Sequence, residues 1–471
     1  MPSTPVTPLH LPTELNRLIV DQLSDDRSSL SSCSLACRAW TGLTRVLIFH
    51  TVKLRDFRDA EGYKFVAFLE LLEDSHRLKL DVGMYIKELS LNGRHNFQET
   101  DEDASASSPL VHTSLRSLIS LLPYLQKLTL NTLEIGSSYG AYTYREEDDE
   151  DELDEFGPRP GPISRLKLRN LTIRCCTFDR TFCAANLLSM FSRVDHLQVI
   201  RSYGLSGDYK EARMTGLVPP TITSFAYDGV DYAAHDLFGL LLEQDPWSNS
   251  GTLERVSLRG LGRGGGRTVQ LLHHFCHNLV KLDLGLYHLI FGGTERYPTS
   301  SWDRLMPAIH SCTSLRSLTL SIGCDSDEEF LGDPLHTCTP EGIRAYALTL
   351  GGYFPVLRTV TFNVYSCRVC TAAEILAYAR SGSQRVEVWR ELDKSLMGLQ
   401  ALKRVSIILH DCPECGLEVV PDSTIRGFVE KKLAGTRSAG KLDLQLGRRL
   451  PCYLHERFHY TAGRLQISKW S

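Results

Sequence analysis

The chain has 471 residues, 42% of them hydrophobic and 23% charged, with fourteen cysteines and a formal net charge of -4; this is the composition of a folded protein, of one large domain or several small ones. The charge is uneven: residues 146 to 155 (EEDDEDELDE) hold nine acids, and without them 47 acids face 52 bases. A body so close to neutral, with no basic run along it, excludes the usual sequence footprint of a nucleic-acid binder.

In chain order, the first eight residues (MPSTPVTP) carry three prolines and read as a disordered tail. No cationic run leads into an apolar stretch there, so no secretory signal is read. No window of about 18 residues is uncharged and continuously apolar, so no transmembrane helix is expected. Cysteines without a secretory route read as reduced thiols, placing the protein in cytoplasm or nucleus.

Residues 9 to 52 read as three short helices. Leu15, Leu18, Ile19 and Leu23 follow Leu11-Pro12 at helical spacing, with Thr13 as a candidate cap. The polar loop Ser24-Asp25-Asp26-Arg27 breaks that pattern. Leu30, Cys33 and Cys37 then form a second stripe, and Trp40, Leu43 and Leu47 a third. A unit of about 40 residues buries too little surface to stand alone, so it must dock on the rest of the chain or on another polypeptide.

From residue 53 to 471 the dominant feature is a repeat. The template L-x-x-L-x-L recurs as IKELSL from Ile86, LQKLTL from Leu125, ISRLKL from Ile163, VDHLQV from Val194 and ITSFAY from Ile222. It continues as LERVSL from Leu253, LVKLDL from Leu279, LRSLTL from Leu315, LRTVTF from Leu357, LKRVSI from Leu402 and AGKLDL from Ala439. Each copy reads as a strand with one buried and one wet face. Helix-period stretches precede several of them, among them TSLRSLISLLPYL, CAANLLSMFSRV, TVQLLHHFCHNL and WDRLMPAIHSC. One such unit cannot bury its own face but a stack can, which predicts an α/β solenoid of parallel strands inside and helices outside. Residues 99–109 and 137–162 are polar, acidic or rich in Pro and Gly, and read as surface insertions.

Three chemistry-bearing features fall within the repeats. GLGRGG, residues 260–265, has the spacing of a dinucleotide loop. The strand before it alternates, whereas a central dinucleotide-fold strand is buried on both faces, so a nucleotide site is not expected. Cys367, Cys370, Cys412 and Cys415 form two C-x-x-C pairs after consecutive strands. They have the ligand count of a structural zinc site, and equally suit small buried residues of solenoid turns. His273, His274, His277 and His310 lie on or beside helical stripes and read as packing residues. No nucleophile, P-loop lysine or paired carboxylate has catalytic context, so the protein is not read as an enzyme.

The repeats resemble the leucine-rich-repeat family in its irregular αβ form, although only Asn92, Asn131 and Asn363 stand where that family has a regular Asn. The opening segment resembles an F-box as found ahead of such repeats in fungal proteins. The likeness is carried by Leu11-Pro12-x-Glu14-Leu15, Leu18-Ile19, Leu23, Cys33 through Trp40 and Phe49, with Ala36 where Val is commoner. The resemblance implies a small three-helix F-box that binds a Skp-family adaptor through Leu11, Pro12, Leu15, Ile19, Leu35, Cys37 and Trp40. Through that adaptor it implies a cullin-RING ubiquitin ligase, with the repeats as receptor for an unidentified client protein and neither nucleic acid nor membrane as partner. Client contacts are expected at wet strand positions such as Asn92, Lys167, Arg169, Asp228, Arg259 and Asp283. The alternatives are a repeat scaffold whose N-terminal helices merely cap the solenoid, and an enzyme built on the cysteine pairs.

Overall fold

The computed structural model describes residues 12–36, 38–54, 63–93, 110–136, 166–178, 184–200, 202, 220–228, 235–242, 253–259, 266–285, 300–323, 347, 349–365, 383–410 and 422–445. Leu11, Cys37, both expected insertions, the GLGRGG loop and all four paired cysteines lie outside them.

Three helices open the described chain: α1 (Thr13–Asp21), α2 (Arg27–Ala36) and α3 (Arg38–His50). α3 runs without a break into β1 (Thr51–Leu54), so the expected boundary at residues 52 and 53 falls inside a strand. Next come α4 (Tyr63–Arg77), a 3-10 turn (Val82–Tyr85), β2 (Glu88–Asn92), β3 (Leu110–Val111), α5 (His112–Ser120), β4 (Lys127–Asn131) and β5 (Glu134–Gly136). The middle holds β6 (Leu166–Arg174), β7 (Thr177–Phe178), α6 (Ala184–Ser189), β8 (Phe191–Ile200), β9 (Thr221–Asp228), α7 (His235–Leu242) and β10 (Arg255–Arg259). α8 (Gly266–Phe275), β11 (Lys281–Gly285), α9 (Ser300–His310), β12 (Ser317–Gly323) and β13 (Thr359–Tyr365) follow. The described chain closes with α10 (Ser383–Gly398), β14 (Arg404–His410), α11 (Asp422–Lys432), α12 (Ala434–Ser438) and β15 (Leu442–Gln445).

Twelve of these strands form one sheet in the order β1-β2-β4-β6-β8-β9-β10-β11-β12-β13-β14-β15, and every pairing is parallel. Strand order follows chain order throughout, the arrangement a coiled α/β solenoid requires. Parallel neighbours need a crossover connection, which the intervening segments supply. A second sheet, β3-β5-β7, is also parallel and was not legible as a separate element in the sequence.

The pairing register explains the repeat. Leu89, Leu128, Leu171, Leu197, Phe225, Val256, Leu282, Leu318, Val360 and Val405 are successive lateral partners on ten strands. Every one is buried, at 2% exposure or less. Complete burial of such a side chain contributes about 1.5–3 kcal/mol, so this one row is a major part of the core. The helices lie over the same side: α7 packs on α8 and α8 on α9. Packed helices need about 8–10 Å while strands need about 4.8 Å, which bends the stack so that the open strand face lies inside the arc.

Two sequence readings change. The copy placed at Ile163 is out of frame: Leu168, Leu171 and Ile173 are the buried trio, and Leu171 pairs with Leu128, so the repeat is LRNLTI from Leu168. Two overlapping matches compete in that stretch, and lateral pairing selects the second. Residues Phe191–Arg193, read as part of the helix leading into the strand at Val194, are instead the start of β8, because Leu166 in β6 offers Phe191 a strand partner.

Neighbouring repeats are also tied by polar contacts. The Asp393 carboxylate on α10 accepts from Gly435 N at 2.8 Å, Thr436 N at 2.9 Å and Thr436 Oγ1 at 2.6 Å, capping α12 from the preceding repeat. His310 Nε2 donates to Thr349 O at 2.9 Å and its ring meets Phe354 edge-on at 5.8 Å. Gly352 lies so close that a Cβ there would collide with the His310 ring. No described helix is long and apolar enough to cross a membrane.

Candidate functional site

The three N-terminal helices leave much of their apolar surface outside. Within them, full burial of hydrophobic side chains is confined to Val20 and Leu30, joined by buried Asn16 and Thr44. On α1 the inward positions are Asn16 and Val20, four apart, while the apolar trio Leu15, Leu18 and Ile19 stands 46%, 59% and 41% exposed. Residues three and four apart share a helix face, so α1 directs a continuous leucine-isoleucine ridge outward. Leu35 near the end of α2 is 85% exposed and Val46 on α3 is 37% exposed. Pro12 is exposed as well.

Side-chain hydrogen bonds also tie the three helices together. Trp40 Nε1 donates to Asn16 Oδ1 at 2.8 Å, and the indole is half-buried between α1 and α3. Thr41 Oγ1 donates to Ser34 O at 2.9 Å and joins α3 to α2. Of the seven expected adaptor-binding residues, Pro12, Leu15, Ile19 and Leu35 are on the surface, Trp40 is committed to an internal bond, and Leu11 and Cys37 lie outside the described residues. Leu18 belongs to the same ridge and is the most exposed of its trio.

The unit also closes the sheet. Arg27 Nη2 donates to Thr51 O at 2.8 Å, satisfying a carbonyl of the terminal strand β1. Phe49, Val52 and Leu54 pack against the solenoid core, whereas Val20 and Leu30 are not part of it. Nor does the apolar surface stop at α3: of the fourteen large hydrophobics that are exposed among the described residues, ten lie between Leu15 and Met84. A monomer spreads such residues thinly unless a partner covers them.

The open face of the sheet is the second surface. Ser90, Thr129, Thr172, Gln198, Ala226, Ser257, Asp283, Thr319, Thr361, Ser406 and Asp443 are lateral partners across eleven strands and form its central row. Its polar side chains pair with one another: Asn131 Nδ2 donates to Asn92 Oδ1 at 3.3 Å, and Asn363 Nδ2 to Ser321 Oγ at 3.3 Å. The expected client-contact residues divide. Lys167 and Arg169 are exposed on β6, Asn92 is half-buried on β2, and Asp228, Arg259 and Asp283 gather on β9 to β11. Asp283 Oδ2 accepts from Arg259 Nη2 at 3.0 Å and from Ser257 Oγ at 3.1 Å, an arrangement that presents a neutralised pair.

Nothing in the described geometry assembles reactive groups. Burial pushes the thiols of Cys176 and Cys312 up to about 12, far from the thiolate range. His273 and His310 make structural contacts, and His274 packs edge-on against Phe275 at 4.7 Å. Among the described residues no cluster of three or more His, Cys, Asp or Glu is placed to hold a metal ion. No protein-family model matches the chain, and no curated protein matches it in sequence.

Proposed function

We propose that this protein is the substrate-recognition subunit of a cullin-RING ubiquitin ligase of the SCF type. On this reading residues 9–52 are an F-box seated on a Skp-family adaptor, and the leucine-rich repeats hold the client protein. The observation that carries it is the outward ridge Leu15-Leu18-Ile19 with Leu35, on a unit whose fully buried hydrophobics among the described residues are Val20 and Leu30. A contiguous exposed apolar patch of this kind marks a protein–protein interaction site. The protein's contribution is then positional: a client held on the open face presents its lysines at high effective concentration to an enzyme carried elsewhere in the complex.

The test is co-purification of the full chain with a Skp-family adaptor. Leu15→Asp combined with Ile19→Asp is expected to reduce capture at least about tenfold while leaving the melting temperature unchanged. A wild-type chain that never captures the adaptor removes the reading.

A second reading has its own support, namely the Arg27 bond to the edge of β1 and the unbroken passage from α3 into the sheet. There the helices are only the cap of a protein-interaction scaffold. Under it the double substitution changes no partner.

A structural zinc ion also remains part of the proposal. β13 and β14 pair with a constant offset of 45 residues, from Thr359↔Arg404 to Tyr365↔His410. In the sequence Cys367 and Cys412, and likewise Cys370 and Cys415, are also 45 residues apart. Elemental analysis of purified protein tests it: one zinc per chain, lost on Cys415→Ser, supports the site. A metal-free chain with an unchanged melting point ends the idea.

A further inference from the structure

We infer that the leading rim of β10 to β14 is a docking track for an acidic, extended peptide segment. Arg316, Arg358 and Lys403 each stand one residue before a strand and are lateral neighbours. Arg358 N donates to Arg316 O at 2.9 Å, and Lys403 N donates to Arg358 O at 2.8 Å. In the adjacent row Arg255 is the register partner of Lys281, and Arg404 that of Thr359. All six basic side chains are exposed, and no carboxylate among the described residues forms an ion pair with any of them. Glu254 is the one acid in these rows on β10 to β14. The same rows on β2 to β8 mix signs: Lys87, Lys127 and Arg169 stand with Glu88 and Asp195, Lys127 pairs with Glu88 at 3.7 Å, and Asp195 pairs at 2.6 Å with Arg193 outside the rows.

Like charges held a strand apart repel one another, and only weak surface screening relieves them. A bound anionic chain relieves that repulsion. The track crosses four strand spacings, about 19 Å at ~4.8 Å each, which an extended peptide spans with about six residues. A peptide fits these observations better than nucleic acid. The residues interleaved with the cations are Val280, Ser317 and Thr359, offering no aromatic platform for bases. The whole chain is also slightly acidic, with a sequence pI near 6.5. This inference deepens the proposed function, naming an acidic segment as the client's recognition element, and rests on that reading for the word client alone.

The experiment uses the purified full chain and a fluorescent peptide of about ten residues rich in Glu and Asp, read by anisotropy at low and moderate salt. Binding is expected to weaken with salt, and to fall at least about tenfold in Arg316→Glu/Arg358→Glu/Lys403→Glu. The milder Arg316→Gln/Arg358→Gln pair gives an intermediate loss and guards against misfolding of the triple variant. Lys87→Glu with Lys127→Glu, on the N-terminal strands, changes affinity less than about twofold. Absence of peptide binding, equal binding by the triple variant, or tighter binding of a single-stranded oligonucleotide of equal charge overturns the track. Adaptor capture is measured on the same variants and stays intact. A wild-type chain that binds the peptide but never the adaptor keeps the track and loses the ligase.

Discussion

Leu318 and Ile19 are residues of similar size and apolarity, placed at opposite ends of one chain. Leu318 lies on β12 between Leu282 and Val360, fully enclosed. Ile19 lies on α1 with 41% of its surface exposed. In the sheet every apolar strand position finds a lateral partner about 4.8 Å away, because the next repeat supplies the same residue type at the same register. The N-terminal helices have no such neighbour on one side, and their ridge is left outside. A repeat array completes itself by stacking, whereas a non-repeated element at its end has to be completed by something else.

The sharpest way to break this contrast is a matched pair of alanine substitutions. Leu318→Ala leaves a cavity in a packed row and is expected to cost about 2–5 kcal/mol, seen as a lower urea midpoint. Ile19→Ala is expected to move stability by less than about 0.5 kcal/mol. Equal costs at the two sites would mean that α1 is covered in solution by the chain itself. A smaller effect separates the internal wiring of the helices from their outer surface. Trp40→Phe keeps the ring but removes the bond to Asn16 Oδ1, leaving a buried acceptor short of a donor. It is expected to lower stability by about 1 kcal/mol and to raise amide exchange in α1, with adaptor capture reduced indirectly. Loss of capture with unchanged exchange would instead make Trp40 a direct contact.

The open face offers a second contrast between its two halves. The rim rows on β2 to β8 mix signs, with Lys127 paired to Glu88, while the same rows on β10 to β14 hold six exposed cations against the single acid Glu254. The sequence does not display this. Each repeat contributes only one or two cations, Arg316 to one and Arg358 to the next, and tens of uncharged or acidic residues intervene. No basic run exists along the chain, yet a basic row exists across it.

Legibility follows the range of the interaction that decides each feature. Strand positions were readable for most copies because alternation at period two is local to about six residues. β6 was misframed because two overlapping local matches were equally good and only the partner strand distinguishes them. The start of β8 reads as helix in the sequence and becomes strand only through its pairing with β6. The candidate anchors Leu15, Ile19 and Leu35 were readable as apolar residues. Their exposure was not, since it depends on which side of α1 meets α3.

By itself, then, the sequence determined a parallel stack of strand-and-helix units, the buried strand positions of most of them, and a helical opening. Those properties follow from periodicity and from the need to bury apolar side chains, both set by near neighbours. The tertiary structure alone decided the frame of β6, the inward turn of Asn16 and Trp40, the outward ridge beside them and the alignment of Arg316, Arg358 and Lys403. Each depends on residues far apart in the chain that become adjacent only when parallel strands fix their register.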